Sequence, residues 1–186
     1  MKIIETERLY LRELNENDYK DLCEILQDKN VMYSWEHVFS DEEIKDWLNK
    51  QRERYKEYGF GFWAVIEKIS QELVGQCGLM LQDDIGREYI EISYMLKQKF
   101  WHNGFATEAA NACKNYAFNV LNVSEVYSTI RVNNISSQKV AERIGMKIDN
   151  VFLKYYKNIE MPHYLYSIKR ENCVKKENKR VLSQIK

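Results

Sequence analysis

The chain has 186 residues, enough for one domain with a buried core, and 45% of them are hydrophobic, which predicts a globular rather than a disordered protein. Its 28 lysines and arginines balance 28 aspartates and glutamates, which argues against nucleic-acid or membrane-surface binding driven by net charge. The four cysteines lie far apart without a CxxC pair, so we expect reduced thiols rather than a zinc site or a disulfide framework.

The amino-terminal third is predicted to form one strand and two helices. Alternating apolar residues predict the strand over residues 8–14. Asn15 is a candidate N-cap for the first helix. Ser40 and Glu43 form a capping-box pattern at the start of the second helix, and Gly59 is its predicted end.

The rest of the chain is predicted to alternate strands with two further helices. Strands are predicted over residues 60–68, 73–82, 87–96, 126–132, 151–156 and 163–170, and helices over about 103–121 and 135–144. The complete order, β-α-α-β-β-β-α-β-α-β-β, predicts an α/β fold with a mixed central sheet of about seven strands flanked by about four helices. It differs from the regular βαβ alternation of a doubly wound dinucleotide-binding fold.

The turn between the predicted strand at 87–96 and the next helix, "KQKFWHNGFATE", is a candidate anion site. A helix N-terminus presents unpaired N–H groups and a partial positive charge, and a diphosphate fits there. Gly104 lets a ligand approach the backbone, Ala106 and Thr107 are small, and His102 and Asn103 can add donors. The alternative is a small residue that only caps the helix. The phosphate motifs GxxxxGK[ST] and GxGxxG are absent, which argues against a P-loop hydrolase and a Rossmann dehydrogenase.

Five segments share their order and spacing with a known family: "TERLYLREL", "LVGQCGL", "EISYMLKQKFWHNGFATEA", "NNISSQKVAERIGM" and "YLYSIKR". Together they resemble the GNAT superfamily of acyl-CoA N-acyltransferases, in particular its ribosomal-protein N-acetyltransferase branch (RimJ/RimL-like). The resemblance covers residues 6–170. It implies a mostly antiparallel sheet, one N-acetyltransferase domain over residues 1–170 and a basic tail over 171–186.

The resemblance implies direct transfer of an acetyl group from acetyl-CoA, as cosubstrate, to a primary amine, either a protein N-terminal amine or a small molecule. It also implies that backbone groups at the end of the strand hold the pantetheine arm and the oxyanion, and that the turn holds the pyrophosphate. Asn134 would bond the pantetheine amides, although it can equally be a helix cap. The implied coenzyme-binding residues are Tyr94, Met95, Leu96, His102, Asn103, Gly104, Phe105, Ala106, Thr107, Asn134 and Ser137.

Two residues are candidates for the proton transfers that amine attack on a thioester requires. Glu91 occupies a place where the family often has a glutamate, and it is the candidate general base; alternatively it faces solvent or pairs with a lysine. The family's tyrosine acid is replaced by Ala141, so Ser137 is the candidate donor to the thiolate, or else an ordinary residue of a first helical turn. Tyr155 and Tyr156 are further candidates for that acid.

Besides the missing tyrosine, the chain departs from the family pattern at three further places. Trp101 stands where Gln or Arg is usual, and His102 and Asn103 replace a Gly-Lys or Gly-Arg pair, so a cationic side chain near the phosphates is missing. Pro162 and His163 stand where an aspartate often precedes the last strand, which puts any role for that acid in doubt.

The acceptor is expected to enter beside the loop "VMYSWEHVF", where Tyr33, Trp35 and Glu36 can cradle a cationic amine. Trp35 can equally fill the core. The three histidines lack metal-ligand spacing, so no metal is predicted, and direct transfer needs no cysteine nucleophile.

We expect a soluble, cytoplasmic protein, because no apolar run is long enough to span a membrane and the first residues are too charged for a signal peptide. We also expect a monomer or homodimer that binds neither nucleic acid nor membrane. The basic tail is expected to be solvated, with an interaction arm as the alternative. The alternative function is a non-catalytic coenzyme A sensor or interaction module.

Overall fold

A computed structural model describes residues 1–83, 86–156 and 159–172, and its centre is one eight-stranded sheet. The strands are β1 (Lys2–Glu5), β2 (Leu9–Glu13), β3 (Phe62–Glu67), β4 (Leu73–Gln82), β5 (Tyr89–Leu96), β6 (Glu125–Arg131), β7 (Lys147–Tyr156) and β8 (Ile159–Lys169). The helices are α1 (Tyr19–Leu26), α2 (Lys29–Met32), α3 (Asp41–Tyr58), α4 (Phe105–Asn119) and α5 (Ile135–Arg143).

The sheet order is β1-β2-β3-β4-β5-β6-β8-β7. Every neighbouring pair is antiparallel except β5 and β6, which are parallel and are connected through α4. The prediction of a mixed, mostly antiparallel sheet is confirmed. The sheet has one strand more than the sequence patterns predicted, because residues 2–5 pair with β2 as an edge strand. The structure also contains a helix that was not predicted, α2, which is a single turn.

Helices cover both faces of the sheet, which explains the apolar sequence of the central strand β3. Phe62, Ala64 and Ile66 pack with α1, α2 and α3, whereas Trp63 and Val65 pack with α4 and α5. Because side chains alternate across a strand, a central strand covered on both sides must be apolar at successive positions.

The helix boundaries follow local capping chemistry. Ser40 and Glu43 form the predicted capping box of α3, and Gly59 ends this helix with a φ of 78°. Asn15 caps a short 3-10 turn at residues 16–18 rather than α1, which begins at Tyr19. The third predicted helix also begins later than expected, at Phe105, because Gly104 is its N-cap and lies at a left-handed φ of 80°.

Some features concern only the described residues. No helix there is long and apolar enough to cross a membrane. Cys23, Cys77 and Cys113 are free thiols, and burial raises the pKa of Cys113 well above its usual value, which disfavours its reactive thiolate form. The predicted basic tail lies outside the described residues apart from residues 171 and 172.

Candidate active site

A cleft opens in the sheet where the two parallel strands part. The strands β5 and β6 pair at Glu91 and Tyr127, whereas each antiparallel ladder extends over at least three positions. Beyond that pair, residues 91–96 of β5 and residues 128–131 of β6 line the same cleft, which has a volume of about 1600 Å³. The carboxyl ends of both strands therefore border one cavity, a frequent place for ligands in α/β proteins.

The N-terminus of α4 forms one wall of this cleft. Gly104, Phe105, Ala106 and Thr107 line the cavity, and no side chain caps the helix. The first intrahelical bond is donated by the N–H of Glu108 to the carbonyl of Gly104, so the preceding N–H groups remain available to a ligand. The turn thus has the geometry of an anion site.

A cation braces this turn from the other end of the chain. Arg8 donates through Nη1 to the carbonyl of Asn103 (2.9 Å) and through Nε to Glu108 (2.7 Å), and its guanidinium lies 4.7 Å from the centre of the Phe105 ring. The turn itself lacks the cationic side chain that is usual in the family pattern, and Arg8 supplies a cation beside it. No local pattern points to Arg8, because it is about a hundred residues away along the chain.

The other residues of the turn differ in how they relate to the cleft. Trp101 lines it and donates its indole N–H to the carbonyl of Leu96 (2.9 Å), which ties the turn to the end of β5. His102 also lines the cleft and has a positive φ of 63°. Asn103 does not line it, although its backbone carbonyl accepts from Arg8.

Glu91 is buried at the point where the strands separate, with 5% of its surface exposed. Its carboxylate accepts from the backbone N–H of Thr129 (3.0 Å) and from Nε2 of Gln82 (2.7 Å). The burial contradicts the alternative of a solvent-facing carboxylate, and no lysine pairs with Glu91 in the described part of the chain. Two neutral donors hold the carboxylate at the cleft wall.

Asn134 caps α5 through the oxygen of its side chain. Its Oδ1 accepts from the backbone N–H of Ser137 (3.1 Å) and caps α5, and it also accepts from the hydroxyl groups of Tyr33 (2.8 Å) and Ser136 (3.0 Å). Its Nδ2 makes no hydrogen bond to a described residue, so its N–H groups can donate to a ligand carbonyl. A helix cap and a ligand donor are therefore compatible at this side chain.

Two residues with hydroxyl groups, Tyr94 and Ser137, are in contact near the start of α5. The phenol of Tyr94 donates to the backbone carbonyl of Ser137 (2.8 Å), and burial raises the pKa of Tyr94 far above its usual value. The Ser137 hydroxyl makes no hydrogen bond to a described residue, and both residues line the cleft. Ala141, at the place of the family's tyrosine, is fully buried in the core. Tyr155 lines the cleft and bonds to Glu160 (3.0 Å), while the side chain of Tyr156 is not among the described parts.

The three predicted acceptor residues occupy different surroundings. Tyr33 is 42% exposed and lines the cleft. Trp35 lines it too, but it packs edge-to-face on Phe39 and Trp47, as expected for a core-filling residue. Glu36 is not in the lining and forms an ion pair with Arg131, a cleft residue that the sequence analysis did not single out.

The chain is similar in sequence to known acetyltransferases. A family model described as an acetyltransferase (GNAT) domain matches residues 8–147. The chain is 33% identical to the uncharacterised protein YkkB of Bacillus subtilis over 83% of this chain and 90% of YkkB. It is 31% identical to the uncharacterised N-acetyltransferase YnaD of the same organism (81% and 86%) and 26% identical to the spermidine N(1)-acetyltransferase of Vibrio cholerae (74% and 78%).

Solved structures share the fold. A GNAT-family acetyltransferase from Bacillus anthracis superposes with a TM-score of 0.78 at 28% identity, covering 92% of this chain and 99% of the other. The ribosomal L7/L12 α-N-protein acetyltransferase RimL, in complex with coenzyme A, superposes with a TM-score of 0.73 at 16% identity (91% and 98%). At that identity, the likeness to RimL is one of fold.

Proposed function

The chain belongs to the GNAT acetyltransferases, acetyl-CoA-dependent enzymes, and from this premise we propose that it acetylates a primary amine directly within the cleft between β5 and β6. One observation carries the proposal. The opening of the sheet places the uncapped N-terminus of α4, the unpaired end of β5 and the buried carboxylate of Glu91 around one cavity.

In this proposal, coenzyme A lies along the opening. Its pyrophosphate accepts hydrogen bonds from the N–H groups of residues 105–107, which carry the positive end of the α4 dipole. The pantetheine arm follows the end of β5 and accepts from Nδ2 of Asn134. This path directs the thioester toward Glu91, because both strands line the same cleft.

Glu91 is the general base, directly or through a water molecule. An amine attacks a thioester only in its uncharged form, whereas free amines are protonated at neutral pH. A carboxylate at the cleft wall can remove that proton. The two N–H donors fix its orientation, and among the described residues neither a lysine nor an arginine pairs with it.

Collapse of the tetrahedral intermediate completes the transfer. The amine nitrogen forms its bond to the carbonyl carbon, the oxyanion accepts from backbone N–H groups of residues 94–96, and the carbon–sulfur bond then breaks. The Ser137 hydroxyl, which has no protein partner among the described residues, donates the proton to the departing thiolate and takes up a proton from the solvent in return. The Tyr94 phenol, bound to the Ser137 carbonyl, is a neighbouring second donor.

The test combines calorimetric binding of coenzyme A with an assay of thiol release from acetyl-CoA. The amine panel contains spermidine, since one relative is a spermidine N(1)-acetyltransferase, and a short peptide with a free amino terminus. The same peptide with an acetylated amino terminus is the matched control. Amine-dependent thiol release supports the proposal, whereas coenzyme A binding without turnover on any amine favours a sensor or interaction module.

A further inference from the structure

Arg54 is a half-buried cation in the cleft wall. It lies on α3, and its Nη1 is 3.5 Å from the sulfur of Met80, a weak acceptor. Among the described residues it has no carboxylate partner. Arg8 and Arg12, by contrast, pair with Glu108 and Asp18.

Arg54 and the candidate base Glu91 are both neighbours of Met80. Met80 of β4 is the direct cross-strand partner of Glu91 of β5. Directly opposite residues of an antiparallel pair project from the same face of a sheet, so the guanidinium and the carboxylate flank Met80 on the face that α3 covers. Both groups line the cleft, which therefore contains one negative and one positive side chain on this face of the sheet.

An unpaired guanidinium in this environment is costly. Loss of solvent lowers the pKa of Arg54, which means that its charged form is disfavoured by the partial burial. The protein itself, within its described part, supplies no compensating acid. A ligand anion would supply one, through the paired N–H donors that suit a planar carboxylate.

We propose that Arg54 is the anion-binding residue of the acceptor subsite, and that the acceptor is a primary amine that also carries a carboxylate. The amine lies against Glu91 and the carboxylate against Arg54. This inference rests on the proposed function, and it specifies the substrate class of that same site. An extended polyamine is the wrong complement, because one of its ammonium groups would lie against a cation.

The experiment compares acceptors that differ in one group. Each ω-amino carboxylate from glycine to 6-aminohexanoate is assayed beside its own primary amide and the diamine of the same length, in acetyl-CoA thiol release with the full chain. At one chain length we expect kcat/KM for the carboxylate to exceed that for the amide by about tenfold or more, as a charge-assisted hydrogen bond provides. The difference should lie mainly in KM.

Variants of Arg54 assign the preference to its side chain. In Arg54→Met the ratio of the carboxylate to the amide should fall to near one, and Arg54→Lys should retain part of it. Each ratio compares two acceptors on the same variant, so a general loss of folding or coenzyme binding cancels. Arg52→Met is the matched control, because Arg52 lies on the same helix, is 46% exposed and pairs with Glu16; it should keep the wild-type ratio.

Two results would overturn the inference while leaving the proposed function intact: amides or diamines that serve as well as carboxylates at every length, or an unchanged ratio in Arg54→Met. If no acceptor turns over, the proposed function fails for these amines, and binding decides the inference separately. Calorimetric titration of 6-aminohexanoate and its amide into coenzyme-saturated protein then supports it if the carboxylate binds more tightly and Arg54→Met abolishes the difference. Equal binding, or none, contradicts it.

Discussion

At the residue scale, the position of Glu91 follows from the geometry of two diverging strands. Where β5 and β6 separate, the N–H of Thr129 has no strand partner on that side, and the Glu91 carboxylate accepts from it. Gln82 supplies the second donor. The same side chain therefore accepts from the strand end where the pairing stops and places a carboxylate in the cleft wall.

Replacing Glu91 by Gln should lower kcat at neutral pH by about a hundredfold or more, the usual contribution of a general base. The coenzyme A dissociation constant should stay within about twofold, because an amide can still accept from Thr129 N–H. Steady-state kinetics from pH 6 to 10 and calorimetry measure both quantities. Glu88→Gln, at an exposed position just before β5, should match the wild type. Full activity of Glu91→Gln at all pH values would show that another group is the base.

Replacing Ser137 by Ala should slow thiol release by roughly threefold to tenfold, because one proton donor is lost while Tyr94 still lies beside the site. Stopped-flow detection of free thiol at saturating substrates measures this step. Wild-type thiol release in Ser137→Ala, together with a slow Tyr94→Phe variant, would transfer the acid role to Tyr94.

At the scale of elements, the junction between β5 and α4 depends on a left-handed glycine. Gly104 has a φ of 80°, and a Cβ there would lie 3.4 Å from Nη2 of Arg8, an ordinary contact. Space is therefore available for a side chain, and the constraint is conformational. A β-branched residue would distort the turn that exposes the N–H groups of the helix.

Gly104→Val should weaken coenzyme A binding by about tenfold or more and lower the free energy of unfolding by about 1–2 kcal/mol, the cost of a left-handed non-glycine residue. Gly59→Val is the matched control, because Gly59 has a φ of 78°, has open space around it and ends α3. It should lose similar stability and keep its coenzyme affinity. Equal affinity in both variants would contradict a coenzyme site at this turn.

At the scale of the whole molecule, one carboxylate joins the turn between β1 and β2 to the helix α4. Glu108 of α4 accepts from the Thr6 hydroxyl (2.6 Å), the backbone N–H of Arg8 (2.9 Å) and the Arg8 guanidinium. Burial alone would raise the pKa of Glu108, but these hydrogen bonds outweigh it and hold that pKa below its usual value. The strand edge formed by β1 and β2 is thus fastened to the helix that carries the candidate anion site.

Acid should weaken this connection. A carboxylate with a lowered pKa stabilises the folded state above its unfolded pKa of about 4.3, and the contribution disappears as the pH falls through the lower folded value. In urea unfolding at several pH values, Glu108→Gln should be less stable than the wild type at pH 7, and the difference should shrink below about pH 4.3. Glu7→Gln, an exposed carboxylate nearby, should show no such convergence. A difference that is constant with pH would mean that charge on Glu108 contributes nothing.

Local patterns in the sequence were sufficient for much of the fold. Period-two alternation, the Ser40 capping box and Gly59 each involve residues within a few positions, so their physics is present in any short window. The turn at Gly104 is likewise local, and it could be singled out before any packing was known.

The organisation of the cleft required the tertiary structure, because its contacts join distant segments. Tyr33 meets Asn134 across 101 positions, Arg8 meets Glu108 across 100, and Tyr94 meets Ser137 across 43. Which strands become neighbours depends on burying both faces of the sheet at once, and short patterns do not specify that β6 lies beside β5 or that β8 lies between β6 and β7. Sequence alone therefore determined most of the elements and the strand–turn–helix at Gly104, but not β1 or α2. Only the tertiary structure decided that Glu91 of β5 and Arg54 of α3 line one cavity, because packing of distant segments brings them there.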